Sequence, residues 1–173
     1  MTVWHGSSRA VATPDLLHAR PNTDFGRGFY VTLVYEQAAR WALRFNWFWD
    51  MSASFVADAV RHETRCDLRS KSRYSFDEAA ARGLDVLRFA SYSDEWLSFV
   101  LTCCTGCDTS SYDIVSGGVA NDRVFNTLEL YLDQLIDRGE ALRRLQYEKP
   151  NEQLCLRTAS ALNLLHFEGS ESV

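Results

Sequence analysis

Apolar residues recur at helical spacing in some stretches of the chain and gather into short β-branched or aromatic runs in others. The clearest helical pattern runs from Glu36 to Phe48, with Ala38, Ala39, Trp41, Ala42 and Phe45 on one face and Gln37, Arg40 and Arg44 on the other. A second helix is expected from Ser93 through Trp96, Phe99, Val100 and Cys103, with Ser93 as N-cap and Asp94 and Glu95 complementing the helix dipole. A third is expected from Asp122 to Ile136, capped by Asn121, with Val124, Leu128, Tyr131, Leu132 and Leu135 as its apolar face. Gly139 marks a break, Glu140 to Leu145 a short helix, and Pro150 the end of that region. Ser75 to Arg82 reads as a helix with a Ser75/Glu78 capping box, Ala159 to Leu165 as a last helix, and Pro14 to Leu17 as one turn.

The strand signals are shorter. Thr2 to Trp4, Phe29 to Leu33, Leu84 to Phe89, Tyr112 to Val115 and Glu152 to Arg157 have the composition of partly or fully buried strands. Ser54 to His62 carries both strand and helix features and is read as a strand, because Arg65 to Arg73 beyond it is polar and loop-like. Gly117-Gly118 is read as a turn. No repeat or linker divides the chain, so one α+β domain is expected over residues 1–168, with a frayed tail over 169–173.

Composition narrows the classes. At 173 residues and 46% hydrophobic content the chain has enough apolar side chains for a sizeable core. A net charge of -5 argues against broad phosphate-backbone binding, though not against a local basic patch. Neither a signal-peptide pattern nor a long apolar segment stands out, which points to a cytoplasmic protein. Five cysteines in such a chain read as free thiols. Cys104 and Cys107 have Cys-x-x-Cys spacing, but no second ligand pair accompanies them, so loop and core thiols are favoured over half a zinc site or a redox pair. His18, His62 and His166 lack metal-ligand spacing, and the Trp41–Trp49 aromatics read as core more readily than as a ligand box.

The densest candidate chemistry lies in Asp24 to Thr32, Asp-Phe-Gly-Arg-Gly-Phe-Tyr-Val-Thr, taken with His5-Gly6-Ser7. Two glycines permit a sharp turn or a close approach to a ligand, and they feed a strand with Tyr30 near its start. Glu152-Gln153 opens a later strand. Neighbouring strand residues point to opposite faces, so one of the two faces any cleft.

These motifs carry a resemblance. His5 to Ser7, Asp24 to Thr32, Gln37 to Ala42, Glu95 to Val100, Tyr112 to Asp122 and Asn151 to Thr158 together resemble an uncharacterised bacterial domain family. That family resembles ADP-ribosyltransferases of the diphtheria-toxin and poly(ADP-ribose) polymerase type, which carry a histidine, a tyrosine and a carboxylate on separate strands. The resemblance implies two small antiparallel sheets around an NAD cleft, with flanking helices. It implies that His5 bonds the adenosine ribose, that the Gly6 backbone beside Ser7 holds the nicotinamide amide, and that Tyr30 stacks on the nicotinamide. Phe29 and Arg27 would sit beside the cleft, with Arg27 reaching the pyrophosphate. The third position is matched by Glu152 on the polymerase pattern and by Gln153 on the nearer bacterial pattern, and the latter is preferred. Leu154 and Cys155 do not complete the Glu-x-Glu pair of arginine-modifying enzymes. The implied activity is NAD-dependent mono-ADP-ribosylation of a protein or nucleic-acid acceptor, in a toxin with an antitoxin partner or an effector. A transferase-like fold that serves as a nucleotide- or protein-binding module is the alternative, and NAD glycohydrolysis is a third reading.

Overall fold

A computed structural model describes residues 1–52, 69–120, 122–148 and 151–173; for residues 44–52 and 122 the description is of the backbone. The described elements are β1 (Thr2–Ser7), β2 (Phe29–Thr32), α1 (Tyr35–Ser52), β3 (Ser70–Phe76), α2 (Glu78–Ala81), β4 (Val86–Arg88), α3 (Asp94–Cys104), β5 (Ile114–Gly118), α4 (Asp122–Leu132), α5 (Arg138–Gln146), β6 (Glu152–Leu156), α6 (Ala159–Leu162) and β7 (Leu165–Ser172). The fold is α+β, with its strands in the order β4-β5-β6-β2-β1-β3-β7. This corrects the expectation of two small antiparallel sheets. The described strands form one seven-stranded sheet, and it is mixed, because β4 and β5 run parallel. The chain forms two compact units, and the boundary between them falls inside β2.

Unit 1 comprises Met1–Pro14, Val31–Glu78 and Leu164–Val173. β1 pairs with β3 from Thr2↔Ser75 to Ser7↔Ser70, and β3 pairs with β7 from Ser70↔Ser172 to Phe76↔Leu165. Residues 169–172 are therefore strand, not a frayed tail. Their polar composition hides this, because β7 is an edge strand whose side chains are largely exposed and need no apolar face. β3 likewise replaces the start of the helix expected from Ser75 and part of the polar loop expected before it. Its buried Ser70, Lys71 and Ser72 find polar partners instead of apolar ones. Ser72 Oγ accepts from the Val11 amide at 3.0 Å, and the Lys71 ammonium lies 3.8 Å from the Tyr35 ring centroid and 3.7 Å from Glu171. The strand expected over Ser54 to His62 lies outside the described residues.

Unit 2 comprises Asp15–Tyr30 and Ala79–Asn163. Its core gathers Phe25, Trp96, Leu97, Val100, Val115, Val124, Leu128, Leu145 and Cys155. α3 starts as its sequence predicts, with the Ser93 hydroxyl accepting from the Trp96 amide at 3.2 Å. Trp96 Nε1 then donates to the Gly118 carbonyl at 3.2 Å, and the Tyr92 hydroxyl donates to the Val119 carbonyl at 2.8 Å. Buried polar tips on aromatic side chains thus find backbone partners. Gly117 and Gly118 do not turn the chain: they lie in β5 opposite Gln153 and Glu152. A Cβ on Gly117 would stand 3.0 Å from Phe89 Cβ and 3.2 Å from the Phe25 ring, so close packing is what requires the glycine there. α4 ends at Leu132, and α5 begins before Gly139, capped by the Asp137 carboxylate, which accepts from the Glu140 amide at 2.8 Å. Pro14 to Leu17 is not helical, α6 ends at Leu162, and the Asn121 cap and the Pro150 stop fall on residues outside the description.

Candidate functional site

The turn that precedes β2 is closed by Tyr30. Its hydroxyl donates to the Gly26 carbonyl at 2.8 Å, accepts from the Phe25 amide at 2.9 Å and shares a hydrogen bond with Thr23 Oγ1 at 2.8 Å. Thr23 Oγ1 also lies 2.6 Å from the Gly26 carbonyl, so the two hydroxyl protons divide among these three contacts. Gly26 sits at φ 74°, a backbone conformation that a side chain would strain. Gly28 serves another end: a Cβ there would collide with Cys155 Sγ and stand 2.8 Å from the Leu156 carbonyl. One glycine permits the turn, and the other lets it lie against β6.

A second tie holds the start of the turn. The Asp24 carboxylate accepts from the Ala120 amide at 3.0 Å and from Gln153 Nε2 at 3.1 Å. Burial pushes the Asp24 carboxyl above its ordinary value, against the two hydrogen bonds that favour ionisation. Burial also pushes the Tyr30 phenol well above its ordinary value, with Cys155 acting in the same direction. Tyr30 is therefore neutral and its hydroxyl is committed within the turn. It has no capacity left to act as a base or nucleophile, and its half-buried ring packs against the core of unit 2.

The two candidates for the third position differ sharply. Gln153 is 2% exposed and bonded to Asp24, whereas Glu152, its neighbour on β6, is exposed. Arg27 is exposed and donates from Nε to the Leu16 carbonyl and from Nη2 to the Leu17 carbonyl, each at 3.2 Å. Phe29 is buried, at 7% exposure. In unit 2 the structure thus brings Tyr30, Gln153 and Asp24 to one stretch of turn and strand, while Phe29 packs as core.

His5, Gly6 and Ser7 belong to unit 1. All three lie in β1, which continues through them rather than breaking at His5, and they stand opposite Ser72, Lys71 and Ser70 of β3. His5 is half-buried, and Ser7 is buried with its hydroxyl donating to the Arg9 carbonyl at 2.5 Å. Gly6 faces α1, where a Cβ would run into the Ala38 carbonyl and stand 2.9 Å from the Ala42 amide. In the same helix Gln37 is buried, and neither its amide nitrogen nor its oxygen has a hydrogen-bond partner among the described residues. A buried amide left unpaired is costly, which sets Gln37 apart from the alanines around it.

Sequence reasoning gave no role to Asp24 or Gln37, although both lie in the motifs. It also missed the ion pair of Arg157 with Asp108, for which residues far apart in the chain carry no pairing signal. The thiols are bland: Cys103 and Cys155 are buried and pushed up to about 12 by burial, and Cys104 to about 11. No group of three or more potential metal ligands occurs among the described residues. Among those residues, too, no helix is long and apolar enough to cross a membrane.

No curated protein and no solved structure matches the chain. The model of a family described as "Protein of unknown function (DUF3990)" matches residues 1–167, and the chain belongs to that family.

Proposed function

We propose that this protein is an NAD-dependent mono-ADP-ribosyltransferase that passes ADP-ribose to a macromolecular acceptor, in the manner of a bacterial toxin or effector. The observation that carries the reading is the locked turn. Hydrogen bonds to the Tyr30 hydroxyl hold the ring in one orientation, half-buried beside the core of unit 2. Stacking on a flat, uncharged nicotinamide needs a ring held in one orientation, and ordering it beforehand removes that entropy cost from binding. The ordered series of motifs from His5 to Thr158 supports the same conclusion.

In the reaction the bond between the ribose carbon and the nicotinamide nitrogen breaks, and its electron pair leaves with nicotinamide. The acceptor atom then bonds to that carbon and loses its proton to solvent or a base. Positive charge builds on the ribose, so a nearby carboxylate lowers the barrier. Glu152 is exposed and brings that charge, whereas the Gln153 amide is neutral and already engaged by Asp24. We therefore assign the electrostatic role to Glu152 and a positioning role to Gln153, which holds the turn through Asp24. Arg27, in the same unit, would hold the pyrophosphate.

The engagement of Gln153 favours one second reading. If Gln153 is the residue that should meet the ribose, no negative charge is supplied there, and the protein is a binding module for a nucleotide or a protein. Nicotinamide release from NAD, with and without cell lysate as acceptor source, separates the two. The transferase reading expects release that falls about a hundredfold or more in Glu152→Gln and in Tyr30→Ala. Binding of NAD with no release under either condition assigns the protein to the binding module, and no binding at all removes NAD from the account.

A further inference from the structure

Unit 2 holds a cavity of about 300 Å³ lined by Arg27, Ser110, Ser111, Tyr112, Arg157 and Thr158. We propose that this cavity is a binding site for a phosphate-class anion. The site shares Arg27 with the transferase reading, which gives that residue the pyrophosphate, but it does not require that NAD bind.

Residues that carry two guanidinium groups and four hydroxyls line the cavity beside Leu16, and no carboxylate of a described residue does. Two carboxylates stand behind the wall, and each is occupied. Asp108 is bonded by Arg157 Nη2 and by the Ser110 hydroxyl at 2.7 Å. Asp113 takes the Thr158 hydroxyl at 2.6 Å and the Asp85 amide at 3.0 Å. Bonds from Ser110 and Arg157 hold the Asp108 carboxyl below its ordinary value although burial opposes this, so it stays ionised as the fixed partner of Arg157. That pair is almost closed to solvent, with each side chain 11% exposed. Arg157 is thus locked in place, with Nη1 donating to Ser110 Oγ at 2.9 Å and Nη2 to the Ser110 carbonyl at 3.3 Å.

Arg27 is the opposite case. Its two hydrogen bonds go to the Leu16 and Leu17 carbonyls, and no described carboxylate pairs with it. Its charge is uncompensated at a concave surface lined also by Ser111 and Tyr112, whose hydroxyls are not bonded to a described residue. A planar cation fixed by backbone carbonyls, beside a second guanidinium and hydroxyl donors, suits a tetrahedral oxyanion with several acceptor oxygens. A cationic ligand would be repelled by the uncompensated Arg27 charge, and an apolar one would leave that guanidinium unmatched.

Calorimetric titration of the full chain with inorganic phosphate and with pyrophosphate tests this. Both are expected to bind, pyrophosphate more tightly, with affinity falling as ionic strength rises. Arg27→Ala should weaken binding about tenfold or more, and Ser111→Asp, which sets a carboxylate at an exposed lining position, should abolish it. Arg138→Ala, at a guanidinium that pairs with Asp94 away from the lining, should leave binding unchanged. Failure of the unaltered protein to bind either anion overturns the proposal. So does binding that survives both lining variants, or that Arg138→Ala weakens equally. Repeating the titration with saturating NAD identifies the source. Loss of pyrophosphate binding assigns the site to the dinucleotide, and retained binding assigns it to a phosphate carried by another molecule; each upholds the anion site. Nicotinamide release is read separately, so the transferase reading and this site stand or fall apart.

Discussion

The two units use the same kind of motif, a glycine beside a strand, for different physical ends. In unit 1, Gly6 exists so that two backbones can touch: the atoms a Cβ would meet are the Ala38 carbonyl group and the Ala42 amide of α1. In unit 2, Gly28 likewise makes room, against β6, but the turn that Gly26 permits is held by polar ties, Tyr30 with Thr23 and the turn backbone and Gln153 with Asp24. One motif is held by the absence of side-chain volume, and the other by the completeness of its hydrogen bonds. A steric contact fails when an atom is added, and a polar lock fails when one partner is removed and the other is left buried and unpaired.

The largest effect expected from this contrast is in unit 1. Gly6→Ala pushes a methyl into helix backbone that has no flexible end to yield, and should cost about 3 kcal/mol or more. Gly28→Ala meets a thiol as well as a carbonyl, so part of its cost should be recovered by adding Cys155→Ala. Chemical denaturation of the four proteins checks the ranking, and amide exchange locates the loss. Equal costs for Gly6→Ala and Gly28→Ala, with no rescue, would erase the distinction.

Next in size is Asp24. Asp24→Ala leaves Gln153 Nε2 and the Ala120 amide without their acceptor, and should cost about 1–3 kcal/mol. Asp24→Asn keeps an acceptor and removes the buried charge. Because burial raises the folded-state value of this carboxyl, its contribution to stability is complete below the ordinary value of 3.8 and is lost as the pH rises through the raised value. The stability of Asp24→Asn relative to the unaltered protein should therefore improve with rising pH across the acid range. Thermal melts in a series of buffers read it, and a difference that shrinks with pH would contradict the burial argument. Tyr30→Phe comes third: the Thr23 hydroxyl keeps its bond to the Gly26 carbonyl, so the cost should be about 1 kcal/mol, with the ring intact.

Which parts of this arrangement were readable in the sequence follows from how each is encoded. The Ser93 cap and the acidic first turn of α3 are local, and local rules found them. β7 escaped because an exposed edge strand carries no apolar alternation, and β3 because its buried positions include Ser70, Lys71 and Ser72, which are satisfied by residues remote in sequence. The single mixed sheet escaped because strand order is set by pairing that no local pattern records. The candidate site was half legible. The motifs located Tyr30, Arg27 and the Glu152-Gln153 pair, but the partnership of Gln153 with Asp24 spans most of the chain and has no spacing to betray it.

The smallest effect on stability is expected where the effect on activity should be large. Glu152 and Gln153 are adjacent on β6 and differ in exposure, so alanine at each position probes a different property. Gln153→Ala removes a buried amide that steadies Asp24, and should lower stability by about 1–2 kcal/mol while moving the whole turn. Glu152→Ala trims an exposed side chain and should change stability by no more than about 0.5 kcal/mol. If Glu152 supplies the charge that the ribose needs, nicotinamide release should nonetheless fall about a hundredfold in that variant, with NAD affinity little altered. Gln153→Ala should then lose activity together with stability, and recover part of it when Asp24→Asn is added, because the buried charge that Gln153 hydrogen-bonded is gone. The reverse pattern, with Glu152→Ala fully active and Gln153→Ala inactive yet stably folded, would move the ribose contact to the amide and with it remove the carboxylate from the mechanism.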